Sequence, residues 1–207
     1  MEEEARKTKT EGVGTPPNVE KTKRGGWKTR FSAKRMAFMA VFAALAFAIS
    51  LLDFPIFPTA DFLKLDFGNV FILLVSFLLG PIEGIFVCIV KESLRITVST
   101  SGGIGELANM LVTSSYILLP SVVYHFRKGI KTVVWTLVCA CFIGTAVALI
   151  TNRYITFPLY MGGGAAAVFR STFWVIVAFN LIKTVSVGIL TILLYKRLSN
   201  FLKKIKI

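Results

Sequence analysis

The stretch FWVIVAFNLIKTVSVGILTILL, Phe173 to Leu194, is long and apolar enough to cross a bilayer, yet it holds Lys183 near its middle. A charge at that depth is costly in hydrocarbon, so an ionisable residue there points to a functional site. Asn180 lies one helical turn before Lys183, so both side chains project from one face. That face has to look into protein or a cavity, and we read it as part of a small-molecule site.

The rest of the 207 residues agrees with a membrane protein: 55% are hydrophobic, 17% are charged, and the mean hydropathy is +0.70. Apolar runs of spanning length alternate with short polar breaks, which leaves no room for a soluble catalytic domain. The expected fold class is all-α integral membrane, a bundle of six transmembrane helices. Its spans are placed at Met36–Leu52, Val70–Leu79, Ile82–Val98, Glu106–Tyr124, Thr132–Ile150 and the Lys183 helix. Residues 1–30, with Pro16, Pro17, several glycines and mixed charge, read as a disordered cytosolic tail, and residues 31–207 as the transmembrane substrate-binding domain. The positive region before span 1, with Ala48-Ile49-Ser50 after it, also fits a cleaved signal peptide; the small-residue stripe on that span favours a retained helix.

The net charge of +13 raises nucleic acid as a partner, but the cations fall where membrane topology wants them. Lys21, Lys23, Arg24, Lys28, Arg30, Lys34 and Arg35 precede span 1, Arg127, Lys128 and Lys131 share one loop, and Lys196, Arg197, Lys203, Lys204 and Lys206 end the chain. Six spans put all three groups on the cytoplasmic side, with both termini, in the cell membrane. No nucleic acid is expected.

Two long segments lie between spans on the opposite side. DFPIFPTADFLKLDFGN, after span 1, is too polar to cross and too apolar for an ordinary solvated loop, and it reads as an extracellular lid. TNRYITFPLYMGGGAAAVFR, after span 5, reads as a second long outer segment. Gly80-Pro81 reads as a turn that also starts a helix.

Polar residues gather toward the outer half: Glu106, Asn109 and Thr113 on one face of span 4, Asn152 at the end of span 5, and Asn180 with Lys183. Carboxamides, a carboxylate and an ammonium can match a flat neutral heterocycle with carbonyls, ring nitrogens and an imide N–H. The same groups could instead bond one another, with Lys183 paired to Glu106, as packing devices of a membrane scaffold. Lys91, Glu92 and Arg95 on span 3 read as a separate structural network, with Arg95 able to reach the outer surface. Ala40, Ala44 and Ala48 form a four-residue stripe on which another helix can pack closely.

Several classes are excluded or disfavoured. No G-x-x-x-x-G-K-[ST], G-x-S-x-G or H-E-x-x-H occurs, so no P-loop ATPase or intramembrane hydrolase is read here, and no enzyme is expected. Cys88, Cys139 and Cys141 lie in apolar runs without metal-ligand spacing, and the single histidine, His125, stands beside Arg127 at a helix end; no metal site is expected. The spans show no internal duplication of the kind found in many carriers.

FLKLDFGNV (Phe62–Val70), LLGPIEG (Leu78–Gly84), GGIGELANML (Gly102–Leu111), FPLY (Phe157–Tyr160) and FNLIK (Phe179–Lys183) resemble the riboflavin-specific S components of energy-coupling factor (ECF) transporters, over about residues 33–200. The resemblance implies a six-helix bundle that binds riboflavin near its outer face, with the loop after span 1 as gate. It implies ligand contacts at Asn152, Asn180 and Lys183, with help from Glu106 and from Leu63, Lys64 and Leu65; Asn109 joins them from the polar face of span 4. It also implies docking through Ala40 and Ala44 on a transmembrane coupling subunit, with two cytosolic ATPase subunits completing the transporter. Riboflavin is then a transported ligand and no cofactor is needed. An S component for another vitamin, such as thiamine or folate, is the alternative within the class.

Overall fold

The computed structural model describes residues 32–127 and 129–205, with side chains as far as Tyr195. The expected tail with its basic residues Lys21 to Arg30, Lys128 and the side chains of the C-terminal basic group lie outside the described residues.

Helix α1, Ala33–Ser50, has no glycine or proline to interrupt it, and its buried face follows the helical period through Met39, Phe42, Ala43, Ala46 and Ser50. Ala40, Ala44 and Ala48 fall on the opposite, exposed face. The next segment forms a small hairpin in which β1, Phe54–Pro55, pairs antiparallel with β2, Lys64–Leu65. Helix α2, Gly68–Leu78, starts where the Asp66 carboxylate accepts the Gly68 N–H at 2.7 Å. A Cβ on Gly68 would stand 2.2 Å from the Ala46 carbonyl oxygen, so glycine is what lets α1 and α2 approach this closely.

Gly80, at φ +136°, makes the turn and Pro81 begins helix α3, Pro81–Ile96, as the sequence predicts. Gly102 and Gly103, at φ +61° and +88°, turn the chain into helix α4, Ile104–Phe126. Helix α5, Ile130–Thr151, follows. Each of these five helices begins and ends within about a turn of its expected span.

The second outer segment differs from expectation. It continues helically as a π-turn over Asn152–Thr156, a short helix α6, Phe157–Met161, and a 3-10 turn over Gly162–Gly164, and helix α7 then runs from Ala165 to Ile205. Pro158 stands in the first turn of α6, where a missing N–H costs nothing, and Ala165-Ala166-Ala167 has the highest helix propensity available. The three glycines therefore shorten the break to a single turn.

Among the described residues three helical stretches are long and apolar enough to cross a membrane: Ala33–Ser50, Ile104–Phe126 and Ile130–Tyr195, the last holding both α5 and α7. The 11 residues of α2 rise only about 16 Å, roughly half the hydrocarbon thickness. Almost every α2 side chain is buried, so this helix is the centre of the bundle and presents no face to lipid. The outward faces of the other helices carry large apolar residues, including Val41, Phe86, Leu118, Phe142 and Ile189, which suits an acyl-chain environment. Cys88 and Cys141 are buried, Cys139 is exposed, and all three are free.

The core around α2 is closed on one side by Tyr116, whose hydroxyl donates to the Thr184 carbonyl at 2.9 Å. Gly144 and Gly188 stand beside Tyr116, where side chains would crowd it, so the ring fits between α4, α5 and α7. A second apolar cluster joins the hairpin segment (Ala60, Leu63, Leu65) to Phe157, Ala165, Ile176 and Phe179.

Candidate functional site

Helices α2, α3, α4 and α7, with the loop before α2, bring seven polar side chains together inside the bundle, with hydrogen-bonded partners as far as 74 residues apart in sequence. Lys91 donates to Asp66 and, at 2.7 Å, to Glu92. The Asn109 amide donates to Glu92 at 2.5 Å and to Asp66 at 3.4 Å. Its carbonyl accepts from Lys183 at 2.5 Å and from Asn69 and Thr113 at 3.4 Å each. Two carboxylates and two ammonium groups make the cluster neutral as a whole, the condition under which buried charge is tolerated. Asp66 lies in the loop before α2: burial pushes its carboxyl up, but the Lys91 and Lys183 charges, with hydrogen bonds from Lys91 and the Gly68 N–H, hold it below the usual carboxylate range.

The expected site residues separate into four groups. Lys183 and Asn109 meet directly. Asn109 has its amide nitrogen and its carbonyl committed within the cluster, so its geometry is that of a positioning group. Asn152 and Asn180 are buried, and each donates its amide to the carbonyl one turn back, Ala148 at 2.8 Å and Ile176 at 2.9 Å. Those bonds fix the carboxamides and leave their carbonyl oxygens without a hydrogen bond among the described residues. Both lie next to the apolar cluster under the hairpin, whose members Phe157, Ile176 and Phe179 neighbour them in sequence.

Glu106 lies apart from Lys183: its carboxylate accepts from the Ser99 and Ser101 hydroxyls at 2.8 and 2.7 Å and so braces the glycine turn before α4. The ion pair of Lys183 with Glu106 considered from the sequence is therefore replaced by the bond to Asn109. On the hairpin, Leu63 and Leu65 are buried and Lys64 is half-buried, its ammonium 3.9 Å from Asp53.

Reasoning from the sequence missed Asp66, Asn69, Lys91 and Glu92 as members of the same cluster. Lys91 and Glu92 carry the signal that singles out Lys183, an ionisable residue inside an apolar span, and are not a separate network. Arg95 does lie outside this cluster, bonded to the Ser50 carbonyl and, at 2.5 Å, to Asp53. Asn69 Oδ1 and Glu92 Oε2 are buried without a donor among the described residues, so the cluster has spare acceptors that a ligand N–H or O–H could use.

A cleft lined by Asn69, Val112, Thr113, Tyr116, Lys183, Thr184 and Val187 opens beside the ammonium. At ≈ 10 Å³ it has room for about one water molecule. A larger ligand requires the side chains that line it to move apart.

A family of known proteins shares this arrangement of helices. Residues 34–195 match the family described as ECF transporter, substrate-specific component. The chain belongs to that family. Among individual relatives, it is 35% identical over 177 residues to the riboflavin transporter RibU of Staphylococcus aureus (strain TCH60), an alignment covering 83% of this chain and 94% of the relative. It is 22% identical over 190 residues to RibU of Streptococcus thermophilus (strain ATCC BAA-250 / LMG 18311), covering 86% and 90%. It is 25% identical over 130 residues to the riboflavin transporter FmnP of Bacillus subtilis (strain 168), covering 61% and 68%. A solved S component of a bacterial ECF transporter superposes with a TM-score of 0.72 at 35% identity, covering 82% of this chain and 98% of that one. The S-component match thus spans every helix that contributes to the polar cluster, and residues 1–33 lie before it.

Proposed function

We propose that this S component captures riboflavin at the cytoplasmic membrane and delivers it for uptake. The observation that carries the reading is the state of Lys183. Of the two lysines in the cluster, Lys91 is ion-paired to two carboxylates, whereas the direct partner of Lys183 is the neutral carboxamide of Asn109. An ammonium so held can exchange one carbonyl oxygen for another, that of a flavin ring, without breaking a direct ion pair. The carbonyls of Asn152 and Asn180 are fixed acceptors for an imide or hydroxyl, and the aromatic cluster under the hairpin offers surface for a flat ring system. A neutral cluster without a phosphate cradle suits the free vitamin better than its phosphorylated form. The riboflavin transporters among its relatives support the same choice.

In this reading six helices build the transmembrane bundle with α2 enclosed among the others, both termini are cytoplasmic, and the segment between α1 and α2 is an outer lid with Leu63, Lys64 and Leu65 over the ligand. Glu106 contributes indirectly, by holding the turn that starts α4. Ala40 and Ala44, on the outward face of α1, receive a transmembrane coupling subunit, and two cytosolic ATPase subunits supply the energy. The chain itself makes and breaks no covalent bond.

A competition assay tests the substrate: purified protein loaded with labelled riboflavin is challenged with unlabelled riboflavin, FMN, thiamine and folate. Riboflavin is expected to displace the label at the lowest concentration. Stronger displacement by thiamine or folate would reassign the substrate, and failure to retain any label would remove the riboflavin reading.

A further inference from the structure

We propose that Lys91 and Arg95, one turn apart on α3, staple the two feet of the 51–67 segment to the bundle, so that it opens as a hinged hairpin instead of peeling away from either end. Only the identity of what the hairpin covers rests on the riboflavin reading. The segment begins after Ser50 and ends at the start of α2, and each foot carries one acid. Asp53, at the first foot, accepts from Arg95 at 2.5 Å. Asp66, at the second, accepts from Lys91. Arg95 also donates to the Ser50 carbonyl, one of those that the end of α1 leaves without a helical partner.

Between the feet the interactions change character. Ala60, Leu63 and Leu65 hold the hairpin to α6 and α7 through apolar contacts, and the ion pair within the hairpin, Lys64 to Asp53, is long at 3.9 Å, with the lysine side chain 40% exposed. The charged contacts at the feet are far better sheltered: the side chains of Arg95, Asp53, Lys91 and Asp66 are 15%, 12%, 0% and 6% exposed. Opening that separates only the apolar tip leaves every sheltered ion pair intact, whereas peeling from either end strands a buried charge. Both anchors belong to one helix, so the feet keep a fixed separation while the β1–β2 pairing travels with the tip. Arg95 and Lys91 are thus positioning residues for the lid and need not touch the ligand.

The test compares backbone hydrogen exchange over residues 54–65 in the full chain without ligand, for wild type, Arg95→Gln, Asp53→Asn, the double variant and Arg95→Lys. Each single neutral variant is expected to speed exchange there by roughly tenfold, the cost of a charged hydrogen bond, while amides of α2 and α4 keep their wild-type rates. The double variant should be no faster than the faster single one, and Arg95→Lys should fall between wild type and Arg95→Gln. Unchanged exchange, equal acceleration throughout the bundle, or single effects that multiply in the double variant would overturn the staple. Should Arg95→Gln not fold, Asp53→Asn, in a loop, carries the same prediction. Riboflavin dissociation is expected to speed up in the same order. A wild-type chain that binds no riboflavin refutes the riboflavin reading alone, because the staple stands or falls by the ligand-free exchange rates.

Discussion

Lys183 and Lys91 are both buried ammonium groups, and their partners predict different responses to the same substitution. Lys183→Met removes a charge whose direct partner is a neutral amide and which balances Asp66 only at longer range, so it should cost less stability than Lys91→Met while riboflavin affinity falls by roughly 1.5–3 kcal/mol, measured by titration. Lys91→Met leaves Asp66 and Glu92 buried without their counter-ion and should destabilise the fold by about 3–5 kcal/mol, visible as a lower melting temperature. Asp66 supplies a pH dependence. Its carboxyl sits below its ordinary 3.8, so the stabilisation it gives the lid is fully present above that value and is lost as pH falls through the lower folded value. Hydrogen exchange of residues 54–65, corrected for intrinsic rates, should therefore be flat with respect to this group from about pH 5 to 8 and should accelerate only in strong acid. At this scale the cost of charge in hydrocarbon makes Lys183 legible in the sequence. That Asn109 stands between Lys183 and the carboxylates is not legible there, because it depends on how four helices pack.

Elements are legible where local chemistry decides them. Gly80-Pro81 stops one helix and starts another by backbone conformation alone, and the apolar runs set the positions of α1 to α5 to within about a turn, whereas α7 extends two to three turns beyond its apolar run at each end. The segment after α5 departs from its expected form because its proline and glycines read as breakers, although the proline sits in a first turn and the alanines restart the helix at once. The Ala40–Ala44 stripe is visible as spacing, but only the fold shows that Ala43 and Ala46 pack inward while Ala40 and Ala44 face out. Ala40→Trp or Ala44→Trp is therefore expected to spare riboflavin binding in purified protein and to block uptake by cells that carry the coupling module. Loss of binding would return the stripe to internal packing. Gly68→Ala should destabilise by about 1–3 kcal/mol in thermal unfolding, since the added carbon meets the Ala46 carbonyl of α1, which has no flexible end to move aside.

For the molecule as a whole, the polar cluster and the hairpin act as one unit. Asp66 is both the second foot of the lid and a member of the cluster whose Asn109 holds Lys183, so lid position and ligand contact share a residue chain. The cleft beside Lys183 accommodates about one water molecule, so binding anything the size of a flavin requires the side chains around it to move apart. Composition alone announces a helical membrane protein, and the crossing count lies beyond it because α2 falls short of the hydrocarbon thickness and is enclosed by its neighbours, while α3 carries Lys91, Glu92 and Arg95. The central claim is that Lys183 belongs to a riboflavin site, and the most direct measurement is a titration of purified wild-type and Lys183→Met protein followed by flavin fluorescence. The wild type is expected to quench at sub-micromolar concentration, and the variant to lose affinity by at least about tenfold. A wild-type chain that leaves flavin fluorescence unchanged, or a variant that quenches with undiminished affinity, would contradict the claim.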